Sequence, residues 1–228
     1  MRRSKHAAFA LGDLLITVAA VMVLGAIALT LGLRWRADAH RAVCAANLKQ
    51  VSQAILLYAR DNHDTMPEML SKPPGGWWWY KEQVKQYAGL RGDSSPNDRV
   101  FACPDDRGYD ETGGGKPTPF CQSQKHNFTS YVFNGVNLPG MPHIAGRPLA
   151  SIEGPSRTLS VMEWTAHAPL SWHDSRTGSA NSPFYNDALS MVGFVDGHVK
   201  YIRIYYDGMN PAYTRDPVPG YEYKYSGD

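Results

Sequence analysis

The apolar positions of the chain begin with a long uninterrupted run. Residues 14–33 contain no charged side chain, and twenty helical residues at about 1.5 Å each span about 30 Å, the thickness of a bilayer's hydrocarbon core. A cleaved secretory signal has a core of only about 7–15 apolar residues. Arg and Lys residues flank the run on both sides. The pattern therefore predicts a membrane anchor, with residues 9–33 forming a transmembrane segment.

Beyond the apolar run the pattern becomes amphipathic. Apolar residues recur at helical spacings of 4, 3, 4 and 3 and form one stripe, which consists of Cys44, Leu48, Val51, Ile55 and Tyr58. No proline occurs before Pro67, and the polar residues 61–64 are a natural stop. We predict one helix from about Phe9 to about Arg60, in which residues 34–62 pack on a head domain.

The head, residues 63–228, combines short strand-like runs with loops rich in Gly, Pro and Asp. A short amphipathic helix is predicted around residues 79–87. Strands are predicted at residues 130–133, 158–163, 189–195 and 198–206. The pair Asp196-Gly197 lies between the last two runs and predicts a β-hairpin near 189–206 with a type I′ turn. The fold class is therefore α+β: a long helix packed on a small antiparallel sheet.

Charge and motifs exclude several function classes. The formal net charge is +2 and the basic residues form no stripe, which argues against nucleic acid as a partner. The chain has no zinc-finger spacing, no H-E-x-x-H and no G-x-S-x-G. We therefore expect no enzyme activity, with a membrane-tethered hydrolase as the minor alternative. Histidines at the surface or at caps are favoured over a metal site.

The N-terminal residues carry a resemblance. Lys5 to Leu15, KHAAFALGDLL, resembles the class III signal of type IV prepilins and pseudopilins: a basic leader, a small residue, Phe, and an acidic residue five positions into the mature chain. The family usually has Gly before the cut and Glu at the fifth position, where this chain has Ala8 and Asp13.

This resemblance implies a processing event and an assembly. Prepilin peptidase would remove the leader, residues 1–8, by cutting between Ala8 and Phe9, and would methylate the new amine of Phe9. Asp13 would neutralise the positive amine of a neighbouring subunit. The expected protein is a pseudopilin of a type II secretion or type IV pilus-like assembly. It would span the bacterial inner membrane once, with its head in the periplasm, and contact other pilin-like subunits.

Motifs in the head extend the resemblance to about residues 5–205. The chain is similar to pilin-like proteins with a C-terminal H-X9-DG element. The similarity rests on motifs that occur in the same order along the sequence: Cys44 to Leu48, Tyr58 to Pro67, Ala102 to Asp105, Ser130-Tyr131 with Asn134-Gly135, Pro155 to Thr158, and Phe194 to Val199. The family's His, ten positions before Asp196, is Asn186 here.

Three cysteines allow one disulfide within the chain. Cys103 and Cys121 lie 18 positions apart, and in an oxidising periplasm closing this loop would stabilise the head by about 3 kcal/mol. This pairing is preferred, with Cys44 as a buried thiol on the apolar stripe. The alternative pairs Cys44 with Cys103, since both belong to the matched motifs.

Two further features suggest ligands. Asp105, Asp106, Asp110 and Glu111 form an acidic cluster whose oxygens suit Ca²⁺; a solvated loop is the alternative, and no other cofactor is expected. Trp77-Trp78-Trp79-Tyr80 could stack on a sugar or another partner. This would make the chain a signal-anchored binding module, although packing of Trp79 and Tyr80 in the core is preferred.

Overall fold

The computed structural model describes residues 11–68, 76–109, 117–135, 140–174, 185–208 and 216–228. Helix α1 spans Leu11–Asp61, 51 residues without a break, or about 75 Å. This confirms the long N-terminal helix predicted from the two apolar patterns. The chain divides into two units between Ala39 and His40.

The first unit is the apolar half of α1. Its side chains from residue 12 to residue 39 are exposed; Ile16, for example, is 69% and Leu24 66% exposed. A helix that is apolar on all sides normally lies in the core of a large protein or in a membrane. Within the described ranges, α1 is the one helix long and apolar enough to span a bilayer.

The second unit begins with the amphipathic half of α1. Four of the five predicted stripe residues, Cys44, Leu48, Val51 and Ile55, are completely buried, and Tyr58 is half-buried. They join one hydrophobic core with residues from all four strands. The spacing of 3 and 4 thus identified the face of the helix that packs on the head.

The sheet of the head has four antiparallel strands in the order β1-β2-β3-β4. Their bounds are β1 Tyr131–Phe133, β2 Leu159–Glu163, β3 Ala188–Phe194 and β4 Val199–Ile204. Each predicted strand is present within one or two residues of its predicted start or end. Tyr131 pairs with Glu163, and Ala188 pairs with Ile204. The observed fold is α+β, as predicted.

The predicted short helix is also present, as α2 Tyr80–Val84 followed by a 3-10 turn at Lys85–Ala88. Tyr80 and Val84 enter the core. Gly89 ends this segment with a positive φ of 79°, a conformation that glycine adopts without strain.

The β3–β4 hairpin is confirmed, but its turn type is a correction. A type I′ turn needs positive φ at both central residues, whereas Gly197 alone among residues 194–198 has one, at 85°. The Gly197 amide donates to the Phe194 carbonyl at 2.8 Å, and the Phe194 amide donates to the His198 carbonyl at 2.9 Å. The loop therefore has three residues and ends on a left-handed glycine, the second common hairpin solution.

Candidate functional site

The apolar half of α1 satisfies its own polar groups. The hydroxyl of Thr17 donates to the carbonyl of Leu14 at 2.8 Å, and that of Thr30 donates to the carbonyl of Ile27 at 2.9 Å. Lipid offers no hydrogen bonds, so polar groups in a membrane segment need such partners. This part of the helix is compatible with single-pass membrane anchoring.

Of the predicted processing and assembly residues, Asp13 is described. It lies in the first turn of α1 and is exposed. A carboxylate near a helix N-terminus is favourably placed with respect to the helix dipole. Ala8 and Phe9 lie outside the described residues, so the cleavage site stays a prediction.

The disulfide joins Cys44 of α1 to Cys103, 59 positions later. The preferred pairing of Cys103 with Cys121 is therefore wrong, and the alternative is correct. The reason is tertiary: Cys44 lies on the buried stripe that faces the head, whereas Cys121 is an unpaired, half-buried thiol. Burial first, and then the nearby carboxylate of Asp106, raise the pKa of Cys121 to about 12.

Beside the disulfide lies a chain of alternating histidines and carboxylates. His40 Nδ1 is 2.7 Å from one oxygen of Asp105, and the other oxygen is 2.7 Å from His173 Nδ1. The opposite ring nitrogen, His173 Nε2, is 2.8 Å from Glu163 Oε1. Glu163 Oε2 accepts the Met191 amide at 2.9 Å. These hydrogen-bonded side chains thus link helix α1, the segment after Cys103, the segment after β2, and strands β2 and β3.

His173 is held as a cation by these contacts. Its side chain is 3% exposed and that of Glu163 is 0% exposed. Burial lowers the pKa of His173, but the hydrogen bonds to Asp105 and Glu163 outweigh burial and raise the pKa to about 9. Burial likewise raises the pKa of Asp105, but its bonds with His173 and His40 lower it below the ordinary value. At neutral pH both ring nitrogens of His173 therefore donate.

The second acidic residue, Asp106, is bound on both oxygens by the protein itself. Oδ1 accepts the Gly108 amide at 2.8 Å. Oδ2 accepts the Cys121 amide at 2.9 Å and the Ser130 hydroxyl at 2.7 Å. Burial raises the pKa of Asp106 in spite of these bonds. The carboxylate orders the segment after Cys103.

The predicted calcium cluster is described only in part. Asp110 and Glu111 lie outside the described residues. Asp105 and Asp106 bind different groups: two histidines in the first case, and two amides and a hydroxyl in the second. Calcium binding at this cluster stays a prediction.

The three tryptophans have separate environments. Trp77 packs edge-on against His167 with ring centroids 4.1 Å apart, and Trp78 packs similarly against His126 at 4.5 Å. Both border the hydrophobic core. Trp79 is half-buried and lines a cavity of about 640 Å³. The expectation that Trp79 belongs to the core is therefore wrong, whereas Tyr80 does belong to it, 2% exposed.

Several histidines also differ from the expectation of surface or capping positions. His126 and His167 are buried, at 7% and 4% exposure, and His173 belongs to the buried polar chain. Asn186, at the position of the family's His, is exposed. Its side-chain oxygen accepts the Tyr206 amide at 2.9 Å and thereby braces the chain just after β4.

The sequence patterns did not predict His40, His173 and Glu163 as site residues. His40 precedes Cys44 by four positions and so shares its helix face, a signal that was present in the pattern. Glu163 ends an apolar strand and is fully buried there, which is rare for a carboxylate without a partner. His173 carries no such local signal, since its partners lie 10 and 68 positions away.

No protein-family model, curated protein or solved structure significantly matches this chain. The resemblance to pilin-like proteins therefore depends on the N-terminal and head motifs of the sequence, and membership of that family stays a prediction.

Proposed function

We propose that this chain is a pilin-like structural subunit, a pseudopilin of a type II secretion or type IV pilus-like assembly. One observation carries the proposal: an exposed apolar helical segment continues without a break into the helical half whose stripe is buried in the head. A simple tether needs no such continuity. A filament subunit does, because the helix that packs with neighbouring subunits also carries the head.

The charge near the start of the helix supports this assignment. Cleavage between Ala8 and Phe9 creates a positive amine at the end of an apolar helix. The carboxylate of Asp13 in a neighbouring subunit neutralises that amine and sets the axial register between helices. Burying either charge alone in lipid is costly, about 2.5–3.5 kcal/mol at the helix centre for a carboxylate. The pair therefore favours association.

The disulfide supports an extracytoplasmic head. Cys44 and Cys103 are bonded, and disulfides persist in oxidising compartments such as the periplasm. The short N-terminus then faces the cytoplasm, and the chain spans the inner membrane once. His173 and Glu163 beside the disulfide are buried and hydrogen-bonded to each other, an arrangement that fits a structural role.

The proposal is tested by photo-crosslinking of the full chain in bacterial membranes, in the presence of prepilin peptidase and the assembly machinery. A photoreactive residue at Leu24, which is 66% exposed, should form adducts with other pilin-like subunits. Asp13→Asn should reduce these adducts several-fold without releasing the chain from the membrane. Asp38→Asn, at another exposed acidic position on α1, is the matched control and should leave them unchanged.

Two outcomes would contradict the proposal. One is recovery of the chain in the soluble cytoplasmic fraction. The other is a processed, membrane-bound chain that forms no adduct through Leu24 with any subunit, since such a chain is anchored but does not assemble.

A binding head is a second candidate, favoured by one observation. The cavity beside Trp79 is lined by polar side chains, among them Glu82, Ser94 and Gln124. An aromatic ring surrounded by polar groups is suited to a sugar. Glycan-array screening of the full chain in detergent tests this function: Trp79→Ala should abolish any signal, whereas Lys200→Ala, at an exposed position of β4 that does not line this cavity, should retain it. An array without any binding signal rules out the sugar-binding function and does not affect the proposal of a pilin-like subunit.

A further inference from the structure

The disulfide lies within reach of two further metal-binding side chains. One ligand atom each from Cys44, Cys103, Glu163 and His173 lies within 4.8 Å of the other three. All four groups are buried: the cysteines are at most 2% exposed, the His173 side chain is 3% exposed and that of Glu163 is 0% exposed. Two thiolates, one imidazole and one carboxylate are the ligand types that proteins use for Zn²⁺.

We propose that reduction of the Cys44–Cys103 disulfide converts this cluster into a tetrahedral Zn²⁺ site. The ligands are Cys44 Sγ, Cys103 Sγ, His173 Nε2 and a Glu163 oxygen. The proposal is independent of the pilin-like function, because it concerns the head alone and holds whether or not the chain assembles.

The distances require little rearrangement. Zinc–sulfur bonds of about 2.3 Å and zinc–nitrogen or zinc–oxygen bonds of about 2.0–2.2 Å place tetrahedral ligand atoms about 3.3–3.8 Å apart. Cys103 Sγ already lies 3.8 Å from His173 Nε2. The His173 and Glu163 atoms, at 2.8 Å, need to separate slightly, and rotation of the two cysteine side chains opens the space between the sulfurs.

The surroundings orient these ligands as in known metal sites. A metal-bound histidine usually donates its other N–H to a carboxylate, which fixes the ring orientation. Here Asp105 accepts from His173 Nδ1 at 2.7 Å and is itself held by His40 at 2.7 Å. Glu163 is held through its other oxygen by the Met191 amide at 2.9 Å. Asp105 is therefore a positioning residue for the site.

The conversion balances with a dithiol as the reductant. The dithiol gives up two electrons and two protons, an S–S bond forms in it, and the Cys44–Cys103 bond breaks to leave two thiols. Zn²⁺ then displaces the two thiol protons and the proton shared between His173 Nε2 and Glu163. Oxidation reverses the process and expels the metal, so the same four residues hold either a disulfide and a proton or a zinc ion.

The test uses Co²⁺ as a spectroscopic probe on the full chain in detergent micelles. The chain is reduced with a phosphine, the phosphine is removed under anaerobic conditions, and the reduced chain is titrated with Co²⁺. We expect a thiolate-to-cobalt charge-transfer band and tetrahedral ligand-field bands that saturate at one Co²⁺ per chain. One equivalent of Zn²⁺ should then abolish them. The oxidised chain should show neither band.

Variants assign the ligands. Cys44→Ser with Cys103→Ser should remove the charge-transfer band, and Asp105→Asn should keep the tetrahedral spectrum while weakening affinity about 10- to 100-fold, as expected for a second-sphere carboxylate. Cys121→Ser is the matched control and should bind as the parent does. Because the parent spectrum itself reports thiolate ligation, the proposal remains testable if a variant fails to fold. A reduced parent chain without the band overturns it, and so does loss of the band in Cys121→Ser.

Discussion

Gly193 of strand β3 lies against Ser52 of helix α1 so closely that a Cβ atom added to the glycine would be 2.5 Å from the serine Oγ. The same Cβ would lie 3.1 Å from the carbonyl oxygen of Val161 on β2. The absence of a side chain at position 193 therefore lets the helix seat on the sheet.

Gly193→Ala should destabilise the head by about 1–3 kcal/mol, because overpacking a buried contact forces neighbouring groups to shift. Chemical unfolding of the full chain in detergent, followed by near-UV circular dichroism, measures this loss. Ser52→Ala removes the nearest atom and should restore part of the stability in the double variant. Equal losses in the single and double variants would contradict this account of the contact.

Ser52→Ala alone is the control for this cycle. The Ser52 hydroxyl is buried and has no hydrogen-bond partner within the described part of the chain. Its removal should therefore be nearly neutral or slightly stabilising, since no bond is lost and a buried polar atom disappears.

The elements of this fold could be predicted because their signals are local. The stripe at Cys44, Leu48, Val51 and Ile55 repeats at helical spacing, and Asp196-Gly197 marks a hairpin whatever surrounds it. The predicted turn type was wrong because both type I′ turns and three-residue loops accept an Asp-Gly pair. The choice between them depends on strand register, here set by the bond between the amide of Phe194 and the carbonyl of His198.

The buried polar chain could not be predicted because its partners are far apart in sequence. His40 meets Asp105 over 65 positions, and His173 meets Asp105 over 68. The disulfide pairing was predicted wrongly for the same reason: the bonded cysteines are 59 positions apart, and the packing of α1 on the head places Cys44 beside Cys103.

The Cys44–Cys103 pairing predicts which cysteine substitutions lower the free energy of unfolding. Closing a 59-residue separation is worth about 4 kcal/mol on the chain-entropy model, so Cys44→Ala with Cys103→Ala should lose about that much in chemical unfolding. Cys121→Ser should cost less than about 1 kcal/mol, as its thiol is unpaired. Non-reducing peptide mapping should recover a Cys44–Cys103 peptide, and a Cys103–Cys121 peptide would disprove the pairing.

Lys81 of α2 is a fully buried cation whose three donors are used. Its Nζ lies 2.8 Å from Asp98 and donates to the carbonyls of Asn127 at 3.0 Å and Phe128 at 2.9 Å. Lys81→Met removes the cation beside Asp98, which then keeps only its hydrogen bonds from Ser95, and leaves both carbonyls without the Lys81 donor. This should cost about 3–5 kcal/mol. Lys200→Met removes an exposed ion pair with Glu222 and should cost less than about 1 kcal/mol. Similar thermal unfolding of the two variants would refute the assigned role of Lys81.

The buried imidazole of His167 should make the folded head less stable at acidic pH. Burial lowers its pKa in the folded state to about 3, whereas an unfolded histidine has a pKa of about 6.5. The unfolded state therefore binds more protons below pH 6.5, and stability falls as the pH decreases towards 3. Between pH 7 and about pH 4.5, His167→Gln should lose about 2–3 kcal/mol less stability than the parent. His63→Asn, at an exposed histidine, should follow the parent; equal slopes for His167→Gln and the parent would contradict the prediction.

The central claim is that proteolysis creates the start of an apolar helix that then joins other subunits. Mass spectrometry of the N-terminal peptide, from cells with and without prepilin peptidase, tests it most directly. We expect a chain that begins at methylated Phe9 when the peptidase is present and at Met1 when it is absent. A chain that still begins at Met1 in the presence of an active peptidase would rule out this processing event.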